Sequence, residues 1–297
     1  INDDRAYQTL RAPKVEASLT ADGITLAARE LLYEDIPYFD TASMPLALPV
    51  PGRLPRHYTK AKLVLKIREQ GRVISKNDYE IVLADEAWAN PVSGTEHIRY
   101  LADDFEAERI LRRHSMQGTP CAGPEELDTE KDRLVVAKPL GEEAAQAVYR
   151  FAKTGGRAVM LNQRDVSKSL TGGKTVRYTE DITEIVTMNV PENSIFSGID
   201  ELDLAWFPNG RAVPYVAYGR YSIDRMDPSM CALGETLQWH NYIAKPTDYD
   251  KLGGTPLFVL EAGQGAILFS SIRTDADRMD PVACRLTDNL LNWDFVW

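Results

Sequence analysis

The sequence is poor in cysteine and histidine. Cys121, Cys231 and Cys284 are far apart and show no CxxC spacing. That pattern excludes a disulfide framework or a thiolate zinc site, so three reduced or buried thiols are expected. His57, His97, His114 and His240 have no ligand spacing among them, and no metal site is expected. No run of 18 apolar residues occurs, so no transmembrane helix is expected. Basic residues are outnumbered, 34 against 44 acidic, for a formal charge of -10. Phosphate backbones and anionic membranes need clustered Lys and Arg, so neither nucleic acid nor membrane is expected as a partner. Internal repeats, low-complexity segments and cofactor fingerprints are absent as well. The opening Ile1-Asn-Asp-Asp has no initiator Met, basic n-region or apolar h-region, and reads as an internal or processed piece.

What is present belongs to an ordinary globular protein, 44% hydrophobic and 26% charged, of a length that suggests about two domains. The clearest stretch is Asp132 to Gln163. Arg133 to Ala137 is a short apolar run ended by Pro139 and Gly141. Glu142 to Lys153 then sets Ala144, Val148, Phe151 and Ala152 on one helical face, and Ala158 to Leu161 is a second apolar run after Gly155-Gly156. Strand, helix and strand make a βαβ unit, hence a parallel sheet. Glu142 and Glu143 in the first turn and Arg150 and Lys153 in the last suit the helix dipole.

Before about Asn90 the periodicity is near two. Val15–Leu19, Ile24–Ala28, Ala61–Ile67 and Tyr79–Leu83 read as strands, with Asp22-Gly23 as a hairpin turn. Short strands with frequent turns predict an immunoglobulin-like β-sandwich. Met44 to Pro55, with four prolines, is expected to be an edge or a loop. Pro91 to Thr95 is the boundary, which gives a sandwich over 1–92 and an α/β domain over 93–297. In the second domain Ile98–Ala102 is strand-like, and Asp103-Asp104 caps a helix whose apolar set is Phe105, Ala107, Ile110 and Leu111. Gly118 to Gly123, Tyr178 to Asn189 and Val213 to Ile223 are strand candidates. Leu257 to Ser270 is a hairpin in which Gly263 and Gly265 supply unusual backbone angles. Asp280-Pro281 opens a last helix with Val282, Ala283, Leu286, Leu290 and Trp293 on its apolar stripe. The strand and helix order suits a doubly wound sheet of the flavodoxin or class I amidotransferase type.

Specific words in the chain carry a resemblance. Ser75-Lys-Asn-Asp-Tyr-Glu-Ile-Val-Leu, Asn193-Ser-Ile-Phe-Ser-Gly-Ile-Asp-Glu-Leu-Asp-Leu-Ala-Trp-Phe, Gly263-Gln-Gly-Ala-Ile-Leu-Phe-Ser-Ser and Asp280-Pro-Val-Ala resemble the C-terminal region of glycoside hydrolase family 2 proteins of the β-galactosidase and β-mannosidase kind. The resemblance implies an immunoglobulin-like sandwich followed by a glutamine-amidotransferase-like domain, both lying after a catalytic barrel. It also implies hydrolysis of terminal β-glycosidic bonds in oligosaccharides by two Glu of that barrel. A TIM barrel alone needs roughly 200 residues, so this chain has no room for it. A non-catalytic accessory region is therefore expected. Its partners would be the barrel of the parent glycosidase, an oligosaccharide and a second copy in a homo-oligomer, in a periplasmic or extracellular setting.

The chemistry available in the chain agrees with silence. An amidotransferase places Cys at a tight strand-to-helix turn, whereas Leu134–Ala137 runs into Lys138-Pro-Leu-Gly. Glu142 with Glu143 reads as helix N-terminal charge, and Glu125 with Glu126 as a solvated loop, rather than as paired glycosidase carboxylates. Asp275, Asp277 and Asp280 lack the Gly and distal Glu of a calcium loop, and Asp280 reads as a helix cap. No catalytic residue is therefore assigned. Tyr215 and Tyr221 would share one strand face with Tyr218 opposite. The alternative function is a carbohydrate-binding module, with Trp206, Trp239, His240 and Asn241 as the ligand-contact candidates. A freestanding hydrolase or amidotransferase is the third reading.

Overall fold

A computed structural model describes residues 1–3, 7–54, 56–91, 97–208, 214–237, 254–278 and 280–293. The chain divides into two compact units, Ile1–Trp88 and Ala89–Trp297. The boundary expected at Pro91–Thr95 lies, apart from Pro91, outside the described residues.

In the first unit, β1 (Lys14–Ala21), β2 (Ile24–Leu32), β3 (Tyr58–Glu69) and β4 (Arg72–Ala84) form one antiparallel sheet in the order β2-β1-β3-β4. A short helix, α1 (Glu86–Ala89), follows. Asp22 and Gly23, at φ +48° and +78°, make the two-residue turn that the sequence announces. A second such turn, Gln70-Gly71 at +48° and +83°, joins β3 to β4 and was not foreseen, because Gln is a poor advertisement for a left-handed residue. The sandwich expected for this half is corrected: the described residues of the first unit form a single sheet, and those between β2 and β3 form no second one. The proline-rich stretch cannot donate to a ladder, so the long β3–β4 hairpin takes the remaining strand-forming residues. The core is thin, with Leu19, Ala21, Ala27 and Ala61 buried and Leu48, Leu63, Ile81 and Leu83 packed against them. Trp88 stacks on Tyr58 with ring centroids 4.7 Å apart.

The second unit is built on a seven-stranded sheet. Its strands are β5 (His97–Leu101), β6 (Gly118–Cys121), β7 (Asp132–Val136), β8 (Arg157–Leu161), β12 (Met230–Ala232), β14 (Leu257–Ala262) and β15 (Gly265–Ser270). Two small antiparallel pairs flank it: β9 (Arg177–Thr179) with β11 (Arg220–Ser222), and β10 (Ile185–Met188) with β13 (Gly234–Leu237). The order is β12-β14-β15-β8-β7-β5-β6, parallel from β6 to β15 and antiparallel beyond. The five parallel strands thus follow the 2-1-3-4-5 order of flavodoxin-like sheets, with the switch point between β5 and β7. Leu134–Val136, Ala158–Met160 and Ala266–Phe269 are wholly buried, as strands covered on both faces must be.

Helices lie on both faces. On one, α3 (Glu142–Lys153) sets Ala145, Val148, Phe151 and Ala152 into a cluster with Leu134, Val136, Ala158, Met160, Ile267 and Phe269. On the other, α2 (Phe105–Arg113) buries Ala107, Ile110 and Leu111, and α4 (Pro281–Leu291) buries the predicted stripe. Arg133 precedes Leu134 and so points to the opposite face, where its Nη1 donates to the Leu291 carbonyl of α4 at 3.0 Å. Phe105, expected in the core, is 75% exposed, because it is the first residue after the cap and faces solvent. The strand expected over Val213 to Ile223 is not found as one: among its described residues, 214–223, only Arg220–Ser222 pairs as a strand, and Tyr215 and Tyr218 meet edge to face at 6.1 Å instead of alternating.

The βαβ unit and the hairpin β14–β15 are fused backbone to backbone. Gln264 N–H donates to the Lys153 carbonyl at 3.2 Å, and Ala266 N–H to the Gly156 carbonyl at 3.2 Å. Gly263 takes the expected positive φ of +62°, whereas Gly265 does not; it is required by closeness. A Cβ on Gly265 would lie 2.1 Å from the Gly156 oxygen and 2.5 Å from the Ala152 oxygen. Both are main-chain atoms that cannot swing aside. Gly265→Ala is therefore expected to cost the second unit about 3 kcal/mol in urea denaturation. Gly141→Ala, where nothing lies within 4 Å, should cost under about 1 kcal/mol.

Candidate functional site

Open α/β sheets bind ligands outside the carboxyl ends of their strands at the switch point. Here that place is a crevice of 570 Å³ over the ends of β5, β6 and β7 and the start of α3, rimmed by Asp103, Glu125, Lys138, Glu142 and Glu143. The sequence reading kept the two glutamate pairs apart, yet the fold brings three of those four carboxylates to one opening. Glu126 turns away and accepts the Ala122 N–H at 3.0 Å. Lys138 is committed to Asp103, Nζ to Oδ1 at 2.5 Å, and this hydrogen bond holds the Asp103 carboxyl below the usual carboxylate range.

Asp104 follows the rim residue Asp103 in the chain, does not itself line the crevice, and has no exposed surface. Its Oδ1 caps α2 by accepting the Ala107 N–H at 3.0 Å. Its Oδ2 accepts the N–H groups of Ala137 at 2.7 Å and Lys138 at 3.0 Å, where the chain leaves β7. Strands that part at a switch point leave such amides without ladder partners, and a buried amide must find one. The cap was legible from Asp103-Asp104 before an apolar set. Nothing in the sequence signals that its second oxygen spans to residues 33 and 34 positions on.

Among the described residues, the turns that leave β6, β8 and β15 carry no free nucleophile. After β8 comes Asn162, at φ +55°, then Gln163, whose Nε2 donates to the carbonyls of Lys138 at 3.0 Å and Leu161 at 3.2 Å. After β15 comes Ser271, whose buried hydroxyl donates to the Gly219 carbonyl at 2.6 Å. Cys121 at the end of β6 is buried, and burial pushes its thiol pKa up, away from the reactive thiolate.

Of the ligand-contact candidates, Trp239, His240 and Asn241 lie outside the described residues. Trp206 is 55% exposed and adopts φ +53°. It sits between two anchors. Its own N–H donates to the Glu184 carbonyl at 2.9 Å, and the next residue, Phe207, is fully buried. Phe207 is in turn held by Arg273, whose Nη1 donates at 3.1 Å to the carbonyls of Phe207, Pro208 and Tyr215. The Arg273 guanidinium also lies 4.3 Å over the Tyr215 ring and pairs with Asp275 through Nε at 2.9 Å and Nη2 at 3.1 Å. Tyr218 donates to Asp275 Oδ1 at 2.7 Å. Asp280 is the predicted cap, accepting the N–H groups of Val282 and Ala283, and Asp277 pairs with Arg113 at 2.9 Å. The three aspartates thus have three separate employments, and no group of metal-ligating side chains occurs among the described residues.

No family model matches the chain, and no curated protein matches it. Solved structures do. A cold-adapted β-galactosidase from Rahnella sp. R3 aligns at 13% identity and TM-score 0.37 over 63% of this chain and 30% of its own. A β-galactosidase from Bacillus circulans sp. alkalophilus aligns at 12% and 0.38 over 64% and 30%. A ThuA-like protein from Bacteroides uniformis aligns at 11% and 0.40 over 68% and 94%. The chain spans about 30% of the length of those two β-galactosidases. The likeness is distant and assigns no function.

Two outcomes follow from these contacts. Asp104→Ala strips partners from three amides, and the second unit is expected to lose about 3 kcal/mol or more in denaturant unfolding. Desolvation pushes the Asp275 carboxyl up, but Arg273 and Tyr218 outweigh it, so its pKa is lowered. A lowered carboxylate pKa contributes stability that is present above the ordinary value and lost as pH falls through the folded one. Asp275→Asn should therefore destabilise the protein near neutrality. The gap from the parent should narrow as pH falls below about 4, in melts followed across that range.

Proposed function

We propose that this chain is a non-catalytic accessory region of a family 2 glycoside hydrolase. The parent would cleave terminal β-glycosidic bonds in oligosaccharides with carboxylates of a barrel outside this chain, in the periplasm or beyond. The work of the present units would be to brace that barrel, shape the rim of its cleft or contact a second copy. The sequence words quoted above are what support that family.

The observation that carries the silence is the seat of Asp104. In acyl-transfer sites, backbone N–H groups aimed at a developing oxyanion are the main electrostatic asset. Here the two consecutive amides at the end of a central strand are filled by the protein's own carboxylate. A substrate oxyanion would have to displace a buried charge. The turns beside them offer an Asn and a hydrogen-bonded Ser in place of an activated nucleophile. An amidotransferase-like sheet built this way keeps the architecture and forgoes the chemistry.

Exposed Trp206 favours a second reading, a carbohydrate-binding module, because an indole face can stack on a sugar ring. One set of measurements separates the readings. The folded chain alone, offered a panel of aryl β-glycosides and glutamine, should turn over none of them; turnover abolished by changing one of its own carboxylates would sink the accessory assignment. Calorimetric heat with an oligosaccharide that disappears in Trp206→Ala would transfer the function to the binding module.

A further inference from the structure

Strand β4 is an edge, pairing only with β3 among the described residues. Every residue from Arg72 to Glu80 is exposed, including Val73, Ile74 and Tyr79. An open edge of this length presents unpaired N–H and C=O groups to any strand that fits. The edge at β6, in contrast, is blunted by Pro120.

The charges on β4 say what would fit. Lys66 of β3 stands directly opposite Lys76 of β4; Lys66 also faces Glu16 across β1, whereas the carboxylate that attracts Lys76 is Asp78 of its own strand. Like charges in that position repel. The neighbouring cross-strand charges are matched, Lys62 with Asp78 at 2.8 Å and Lys60 with Glu80 at 3.8 Å. Lys66 with Lys76 is the like-charge pair in the β3–β4 register. Consider two copies of β4 related by a two-fold axis through Asn77. Lys76 of each then lies opposite Asp78 of the other, and Ser75 opposite Tyr79. Moving the axis to Lys76, Asp78 or Glu80 sets like charges against each other, and moving it to Tyr79 sets Asp78 against Glu80. The register shift that makes Ile74 an extra residue bends the strand just before this segment, so pairing is confined to a short run.

We infer that β4 is a self-association edge: two chains join antiparallel through Ser75–Tyr79, extending each four-stranded sheet into one of eight, with Lys76 paired to Asp78 of the partner. The interface is isologous and short, hence weak and concentration-dependent. The inference stands on the first unit alone and does not depend on the accessory reading.

Light scattering of the whole chain from low to high micromolar concentration tests it. A monomer–dimer equilibrium is expected. K76E sets a carboxylate opposite Lys66, which suits the monomer, so its melting temperature should hold or rise. It also sets a carboxylate opposite Asp78 of the partner, and dimerisation should weaken by about tenfold or more, since both symmetric pairs change sign. The double variant K76E/D78K restores opposite charges across the axis and should regain the dimer. A chain that stays monomeric throughout, or a K76E dimer as tight as the parent's, overturns the inference.

Discussion

The second unit depends on one buried carboxylate. A doubly wound sheet reverses its winding between β5 and β7, and the backbone that leaves β7 has amides that no neighbouring strand can accept. Asp104 answers that demand from the start of α2, so helix cap, strand end and switch point share one side chain. The same geometry decides what the crevice above can do. The Ala137 and Lys138 amides beside it are already taken by Asp104, its lysine is held by Asp103, and the remaining charged rim is Glu125, Glu142 and Glu143. The negative balance of the whole chain is thus repeated locally, at the place where flavodoxin-like sheets most often hold phosphates.

Arginine does the corresponding work where regular structure runs out. Among the described residues between Thr179 and Arg220 the only strand is β10, so many carbonyls there lack ladder partners. Arg273 gathers three of them with one guanidinium nitrogen while Asp275 neutralises the charge. Arg133 similarly ties the start of β7 to the end of α4. On that face Arg113, His114, Asp277 and Asp288 form a buried cluster linking α2, the Asp275–Arg278 turn and α4. Removing one member of such a cluster strands the others, which is why buried charges of this kind hold relative positions more than they add stability.

The βαβ unit, the hairpin and the capped last helix were legible because each rests on local chemistry: period, glycine and an Asp-Pro cap. The unusual backbone angle expected at Gly265 is not what requires a glycine there. Its need is for space beside Gly156, a contact 109 positions away that no local window contains. The first unit was misread where pattern and topology part company. Alternating strands specify a sheet with one apolar face but do not say whether the next strand continues that sheet or crosses to another. The Gln70-Gly71 turn settled that choice without a recognisable signature. Arg273 and the second bond of Asp104 were invisible for the same reason: their partners are main-chain atoms, and sequence carries no mark of a carbonyl in need.

Trp206 shows how magnitudes rank the two functional readings. An L-residue in the left-handed region costs about 1–2 kcal/mol, and such an outlier can be a sign of function. Phe207, its neighbour, is wholly buried, worth about 2–3 kcal/mol for a phenyl side chain, and its carbonyl adds a charged hydrogen bond from Arg273. Burying Phe207 therefore offsets the strain at Trp206 without any ligand. The turn that sends Phe207 inward is the one that sends Trp206 out. An exposed indole with such an account needs no sugar to explain it, so the exposure of Trp206 by itself lends the proposed binding-module reading no weight.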